Sequence, residues 1–350
     1  MHTWPAIIAA FFIALAVTPL AIRLALRFHI VDIPNHRKVH SKPTPRIGGL
    51  AIYAGFVVGT LLLAEYTRQV AAVLVAGSVV FFTGLIDDVK DISPKLKLLG
   101  QVIASLILVW AGFTVRFITN PFDGSMLSLG LLSVPITVIW LTGISNAVNL
   151  IDGLDGLSSG VSAIAAVSTA VVCLSQSEPV AAALAGILAA SALGFLPWNF
   201  NPAKTFMGDC GALFLGFILG ALALMGLSKG ATVISIFIPF LILGIPVFDT
   251  FCAIVRRLFL RKPIFEADKM HLHQRLLSLG LSQRQTVLAI YVVSLLMGIS
   301  AVLMAVLTTA QAVVVLIVTT LGAFSAAEYL GVLRGKCHVA RQRHPDRQNG

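Results

Sequence analysis

The amino-acid sequence predicts an all-α membrane protein, a polytopic bundle of about eleven transmembrane helices. Hydrophobic residues make up 57% of the 350-residue chain and charged residues only 11%. So few charges cannot cover a soluble surface, and lipid must act as solvent for much of the exterior. Apolar stretches, most of them near the roughly 20 residues that a membrane helix needs, recur along the whole chain. The predicted spans cover residues 4–28, 48–66, 70–86, 95–113, 131–149, 157–175, 180–197, 210–226, 232–252, 285–307 and 311–332.

The distribution of basic residues predicts an amino terminus outside and a carboxyl terminus in the cytoplasm. The first span is interpreted as a helix that is not cleaved, because no basic region precedes it and Arg23 and Arg27 follow it. All but three of the 25 lysines and arginines then fall on the cytoplasmic side, the exceptions being Arg68, Arg116 and Lys229. Topology therefore explains the net charge of +10, and no nucleic-acid partner is expected.

The chain is expected to form one integral membrane domain over residues 1–333. Residues 334–350 are polar and basic, and are predicted to be a disordered cytoplasmic tail. The four cysteines are scattered, which argues against a disulfide framework or a zinc site. The longer connections are predicted on the cytoplasmic face, at residues 29–47, 87–94, 150–156, 198–209 and 253–284.

Three carboxylates end the third span. On a continuing helix, Asp87, Asp88 and Asp91 would converge, and like charges at this spacing repel each other. A divalent cation is the simplest compensation. A solvated acidic loop that Lys90 and Lys95 neutralise is the alternative interpretation of the same residues.

Polar residues recur every three positions at the end of the fifth span. If the helix persists, Asn149, Asp152 and Asp155 share one face, and Gly153 and Gly156 allow another backbone to approach closely. A polar helix end that meets water would explain one aspartate better than it explains this series. The pattern therefore favours a functional site.

A mixed aromatic, amide and lysine segment precedes the eighth span. Asp209 begins that helix, where a carboxylate also suits a simple amino-terminal cap. The preceding Trp198, Asn199, Lys204 and Phe206 resemble a ligand-binding loop more than a cap, although Phe206 alone would more often be a packing residue.

Histidines and cations mark two other cytoplasmic loops. His271 and His273 point the same way if the chain is locally extended. They could bind a metal, but the carboxylates elsewhere suggest magnesium, which prefers oxygen, so phosphate contact suits the histidines better. Residues 32–49 are basic and rich in proline. They either anchor the topology or gather phosphate groups.

These motifs, in this order and on one membrane face, resemble the polyprenyl-phosphate N-acetylhexosamine-1-phosphate transferases. That family is related to the phospho-N-acetylmuramoyl-pentapeptide transferases, and the resemblance covers residues 20–290. The motifs that carry it are PRIGG at 45–49, DDVKD at 87–91, the polar segment at 146–156, FMGD at 206–209 and HLH at 271–273.

The resemblance implies an enzyme that moves N-acetylglucosamine-1-phosphate from UDP-N-acetylglucosamine to undecaprenyl phosphate and releases UMP. It implies a multi-pass protein of the inner (plasma) membrane with a cytoplasmic active site, a magnesium requirement with manganese as an alternative, and a homodimer as a plausible assembly. UDP-N-acetylmuramoyl-pentapeptide and UDP-N-acetylgalactosamine are alternative donors. The pentapeptide branch typically carries three consecutive histidines, whereas this chain has HLH at 271–273, which favours the amino-sugar branch. Gln274 departs from the pattern of that branch, in which many relatives have another histidine, and this leaves the sugar preference open.

Carried over residue by residue, the resemblance assigns roles to the motif positions. Asp209 and Asp88 would hold magnesium, while Asp87 and Asp88 would form the catalytic pair, with Asp87 as the base on the lipid phosphate. Asn149, Asp152 and Asp155 would form the nucleotide and metal pocket, with Asn199 and Phe206 around the uracil. The resemblance also assigns contacts with phosphates or sugar to four residues, Arg46, Lys97, His271 and His273.

Two questions stay open at the level of sequence. A transporter is a distant alternative, because ionisable groups near membrane helices often mark a transport pathway. Transporters place such groups near the bilayer midplane in broken helices, whereas here they cluster at helix ends. The sequence also does not decide between direct attack by the lipid and a covalent aspartyl intermediate. Nor does it identify the glycan that would begin with the product.

Overall fold

The computed structural model describes residues 3–32, 43–63, 65, 67–115, 117–119, 126–226, 237–259 and 271–329. Within these residues the protein is an all-α bundle with two short antiparallel hairpins, β1 (Val31–Asp32) with β2 (Thr44–Pro45) and β3 (Phe117–Thr119) with β4 (Met126–Ser128). The helices are α1 Trp4–Arg27, α2 Gly49–Leu61, α3 Arg68–Lys90, α4 Pro94–Trp110, α5 Ser133–Ile151, α6 Leu157–Ser175, α7 Pro179–Asn199, α8 Gly208–Gly226, α9 Phe237–Ile242, α10 Gly244–Phe259, α11 Leu272–Ser278, α12 Gln283–Val306 and α13 Thr309–Tyr329.

Eight of these helices are long and apolar enough to cross a membrane, so the protein is a multi-pass membrane protein. They are α1, α3, α5, α6, α7, α8, α12 and α13. Two other predicted spans form shorter helices, α2 with 13 residues and α4 with 17. The span expected at 232–252 is interrupted at Leu243, between α9 and α10. Pro246 explains the break, because its ring has no N–H and clashes with the carbonyl of the residue four positions earlier.

Helix α8 is the centre of the bundle. It is almost entirely buried and packs against α3, α5, α6 and α2, while α1 packs on α2 and α7 at the periphery. Glycines allow the closest approaches. A Cβ at Gly84 of α3 would lie 2.6 Å from Cα of Cys210, so only glycine lets α3 and α8 meet at this point. Most of α13, by contrast, is exposed, as expected for a helix that faces lipid.

Alternation of the helices brings the polar motifs to one end of the bundle. The carboxyl ends of α3, α5 and α7 and the amino ends of α4, α6 and α8 meet there. Strand β2 joins them, because Phe206 N–H donates to Pro45 O at 2.7 Å and Gly48 N–H donates to Phe206 O at 2.9 Å. Helices α11 and α12 begin at the same end. The predicted tail at 334–350 lies outside the described residues.

Candidate active site

Two carboxylates from different helices share one lysine at the centre of this end. Asp87 lies in the last turn of α3 and Asp209 in the first turn of α8. The Lys97 ammonium, from the first turn of α4, lies 3.0 Å from Oδ2 of each carboxylate. Asp87 is buried, whereas 22% of the Asp209 side chain is exposed. The Asn149 side chain lies next to the Asp209 carboxylate. Two negative charges therefore surround one positive charge next to a surface that opens to water.

Asp88 faces a different direction and holds the backbone of α8. Its Oδ1 accepts the Asp209 N–H at 2.9 Å, and its Oδ2 accepts the Cys210 N–H at 3.0 Å. Arg46 adds its guanidinium, with Nε 3.2 Å and Nη2 3.1 Å from Oδ1. The Asp88 side chain has no exposed area. These contacts occupy both carboxylate oxygens, so the geometry favours a positioning role for Asp88 over the metal ligation expected from the sequence.

The third carboxylate of the motif does not converge with the other two. Asp91 ends α3 in the left-handed conformation, at φ 46°, and 89% of its side chain is exposed. Among the residues that the structure describes, it pairs with Nη1 of Arg46 at 3.8 Å. The expected cluster of three aspartates is therefore wrong in this detail, because the helix ends before the third one.

Arg46 links the first loop to the acidic cluster. Burial acts to lower the pKa of its guanidinium, but the Asp88 and Asp209 carboxylates outweigh burial and raise that pKa above the ordinary value. Arg46 therefore stays charged, and about a quarter of its side chain remains exposed for a further anionic group.

A cleft of about 470 Å³ opens beside this cluster. Four of the candidate site residues do not line it, namely Asp87, Asp88, Lys97 and His271. Three of them still contact the wall: Lys97 and its partner Asp87 through Asp209, and Asp88 through Arg46. The others do line the cleft, namely Arg46, Asn149, Asp152, Asp155, Asn199, Phe206, Asp209 and His273.

The connection between α5 and α6 forms one wall of the cleft, but it is not helical. Helix α5 ends at Ile151, so Asn149, Asp152 and Asp155 do not share a helix face as the spacing suggested. Gly156, at φ 81°, begins the next helix in a conformation that favours glycine. Burial, followed by repulsion from neighbouring carboxylates, Asp209 first, raises the pKa of Asp152 to about 8.

Asp155 and Asn199 hold loops together from within the wall. Asp155 Oδ2 accepts hydrogen bonds from Asn201 Nδ2 at 2.9 Å and from Ala203 N–H at 3.0 Å. Asn199 is buried, and its Oδ1 accepts from Gly156 N–H at 3.2 Å while its Nδ2 donates to Thr205 O at 3.0 Å. Both side chains are thus committed to the loop framework, and contact with a nucleotide remains a prediction for each.

His273 lies against the loop of Asp152. A Cβ at Gly153 would lie 2.6 Å from Nε2 of His273, so the histidine ring occupies the space that glycine leaves. Burial lowers the pKa of His273 to about 4, although Asp249 acts in the opposite direction. His273 is therefore neutral at pH 7, and it would meet a phosphate as a single hydrogen-bond donor, not as a cation.

The donor atoms at the centre suit a divalent cation. No group of three or more His, Cys, Asp or Glu side chains that could hold a metal occurs among the residues that the structure describes. Magnesium does not require one, because it is usually held by one or two carboxylates together with water and substrate phosphates. Asp209 lines the cleft and shares the Lys97 ammonium with Asp87, so its carboxylate oxygens are of the kind that magnesium prefers.

Several wall residues were not identified from the sequence. Asp32 follows the first span on β1, and Gln283 begins α12, next to Gln274 and Leu277 of α11. Leu277 and Gln283 belong to no dense polar motif. Asp32 begins the basic segment and Gln274 follows the two histidines directly, so these neighbouring motifs were the signal that could have found them.

Together, the fold and the site define a multi-pass membrane protein with a polar, charged cleft at one end of its helices. The family model for glycosyl transferase family 4 matches residues 70–227. A Bacillus subtilis relative, "Probable undecaprenyl-phosphate N-acetylglucosaminyl 1-phosphate transferase", is 41% identical over 300 residues, covering 85% of this chain and 84% of the relative. The chain therefore belongs to glycosyl transferase family 4, and the name of this relative agrees with the family that the sequence motifs resemble.

Two further relatives span different branches. The decaprenyl-phosphate N-acetylglucosaminephosphotransferase of Mycolicibacterium smegmatis is 35% identical, with 77% of this chain and 73% of the relative covered. The phospho-N-acetylmuramoyl-pentapeptide-transferase of Clostridium beijerinckii is 32% identical, but only 54% of this chain and 62% of the relative are covered. Similarity to the two relatives named for N-acetylglucosamine therefore extends over more of the chain.

Proposed function

We propose that the protein transfers N-acetylglucosamine-1-phosphate from UDP-N-acetylglucosamine to undecaprenyl phosphate and releases UMP, at the cytoplasmic face of the plasma (inner) membrane. The product would be the lipid-linked first intermediate of a cell-envelope glycan. The names of the relatives from Bacillus subtilis and Mycolicibacterium smegmatis support this acceptor class and this sugar.

The observation that carries the proposal is the contact of Lys97 with Asp87 and Asp209 beside an open polar cleft. A polyprenyl phosphate keeps its chain in the bilayer, so its phosphate must meet a soluble sugar nucleotide at a helix end. The acidic cluster lies at such an end, whereas a transporter would place its ionisable groups near the midplane.

The reaction joins two anions, and charge neutralisation is therefore the main task of the site. An oxygen of the lipid phosphate attacks the phosphorus that carries the sugar, the bond to the UMP oxygen breaks, and a lipid pyrophosphate forms. We assign Asp87 to accept the proton of the lipid phosphate. Lys97 and Arg46 offset the negative charge of the phosphates, and Asp88 fixes the backbone at Asp209.

We propose magnesium as the cofactor, held by Asp209 with help from Asn149, and manganese as a substitute. When bound, the cation would neutralise the diphosphate and stabilise the charge of the leaving UMP. Asp152 interacts electrostatically with the carboxylates of Asp209 and Asp88, so a cation bound at Asp209 would also act on Asp152.

Direct attack by the lipid suits the geometry better than a covalent aspartyl intermediate. A nucleophilic Asp87 would have to reach phosphorus in the cleft, yet its side chain is buried, bound to Lys97 and absent from the cleft wall. A proton acceptor can act from this position through the lipid phosphate itself.

The cytoplasmic orientation is supported by the positive-inside distribution. Arg46, Lys97 and Lys204 all lie at the end of the bundle that holds the site. The homodimer expected from the family resemblance is part of the same proposal, and the mass of the detergent-solubilised protein tests it.

The experiment that tests the function is UMP release by the purified protein. We expect release from UDP-N-acetylglucosamine that requires both undecaprenyl phosphate and magnesium, and that stops on addition of EDTA. Parallel reactions with UDP-N-acetylgalactosamine and UDP-N-acetylmuramoyl-pentapeptide test the donor. Release without the lipid, or faster release from the pentapeptide donor, would contradict the proposal.

A further inference from the structure

Asp249 is a buried carboxylate inside α10, outside the motifs found in the sequence. Only 3% of the residue is exposed. Its Oδ2 lies 2.8 Å from Nδ1 of His271, and its Oδ1 accepts the Leu272 N–H at 2.8 Å. A carboxylate removed from water is costly unless its oxygens are hydrogen-bonded, and here both oxygens have partners on the segment that begins α11.

His271 does not reach the cleft, but His273 does. The two rings are parallel within 1°, with centroids 5.8 Å apart. His271 is buried between Asp249 on one side and His273 on the other, whereas His273 lines the cleft and packs against Gly153. A continuous set of contacts therefore runs from α10 through His271 to the cleft wall.

The contacts with Asp249 restrict this segment in two ways. The hydrogen bond to Leu272 N–H fixes the backbone between the histidines, and the bond to Nδ1 fixes the His271 ring on which His273 stacks. Where the Asp249 carboxylate accepts this bond, Nδ1 of His271 is the donor. The partner of one ring nitrogen thus determines the tautomer and the orientation of that ring.

We propose that Asp249 is a positioning residue for the donor substrate, and that it acts through His271 to hold His273 in the cleft wall. His271 is then also a positioning residue, in place of the phosphate contact expected from the sequence. This inference rests on the proposed transferase function. His273 lines the cleft and Asp87 does not, so UDP-N-acetylglucosamine is the substrate whose binding depends on Asp249.

The test compares KM values for the two substrates in single and double variants. Asp249→Leu removes both hydrogen bonds and should raise the KM for UDP-N-acetylglucosamine about tenfold, a change within the range for residues in one hydrogen-bond network. The KM for undecaprenyl phosphate should stay unchanged. Asp249→Asn, which can still accept from Leu272 N–H, should recover part of the loss. Glu65→Gln, an exposed carboxylate at the opposite end of the bundle, is the control and should behave as wild type.

The His273→Ala background decides whether Asp249 acts through His273. In that background, Asp249→Leu should cause no further rise in the donor KM. Equal rises in both backgrounds, or a rise in the lipid KM alone, would overturn the inference. If Asp249→Leu does not yield a monodisperse protein, His271→Phe provides the same comparison, because it keeps a stacking ring and removes Nδ1. A wild-type donor KM in His271→Phe would overturn the inference, whereas absence of UMP release by the wild type would overturn the function itself.

Discussion

Replacing Asp88 by asparagine separates a positioning role from metal ligation. The carboxylate accepts two backbone N–H groups, from Asp209 and Cys210, and pairs with Arg46. Asparagine keeps one acceptor oxygen, so one of the buried N–H groups loses its partner and Arg46 loses its counter-charge. An unsatisfied buried donor costs about 1–3 kcal/mol, and hydrogen bonds to a charged group are worth about 1.5–3 kcal/mol each.

Asparagine is neutral, so burying it costs less than burying a carboxylate, which offsets part of this loss. The net fall in the free energy of unfolding is about 2–4 kcal/mol. We therefore expect Asp88→Asn to lower the melting temperature of the detergent-solubilised protein by about 3–5 °C. It should also lower kcat, because Arg46 loses the carboxylate that holds it beside the cleft. The magnesium concentration for half-maximal UMP release should change little. Asp87→Asn is the matched control. It removes one partner of Lys97 but leaves α8 capped, so its melting temperature should stay near that of wild type.

A stable Asp88→Asn protein that needs at least tenfold more magnesium would refute this reasoning. It would show that Asp88 is a metal ligand, as the sequence had suggested, and that the bonds to α8 contribute little.

Three further results are expected. Asp209→Asn should lower UMP release at least about a thousandfold while the protein remains folded, as judged by size-exclusion chromatography, because the cation loses its main ligand. Because the pKa of Asp152 is about 8, protons compete with the cation for this carboxylate at lower pH. The magnesium concentration for half-maximal UMP release should therefore decrease as the pH rises from about 6 to 8, and stay constant above that pH. Asp152→Asn should remove this dependence, and a persistent slope would assign it elsewhere. Labelled UMP should not exchange into UDP-N-acetylglucosamine without lipid, whereas exchange would establish the covalent intermediate.

The positions of the helices could be predicted because hydrophobicity and length determine a membrane span. Helix α6 has the predicted bounds, and α1, α5, α7 and α8 differ from them by only a few residues. Hydrophobicity does not predict the break at Leu243, because Pro246 lies inside a continuous apolar stretch. Alternation of the spans also predicted that the polar motifs lie on one side, and in the structure they meet at one end of the bundle.

The roles within the site were harder to predict, because sequence spacing does not give side-chain direction. Adjacent residues on a helix differ by about 100° around its axis, so Asp87 meets Lys97 while Asp88 meets the backbone of α8. The role of Asp249 could not be predicted, because Asp249 is a lone carboxylate in an amphipathic helix. Its partner lies 22 residues away, across a loop whose path the sequence does not reveal.

The fate of the β-phosphorus tests the central claim most directly. UDP-N-acetylglucosamine labelled with ³²P at the β-phosphorus should give a labelled, butanol-extractable lipid and unlabelled UMP, because the sugar and its phosphate move together. Label that stays in a soluble UDP while the sugar enters the lipid would show ordinary glycosyl transfer. That result, or label released as free sugar phosphate, would contradict the account.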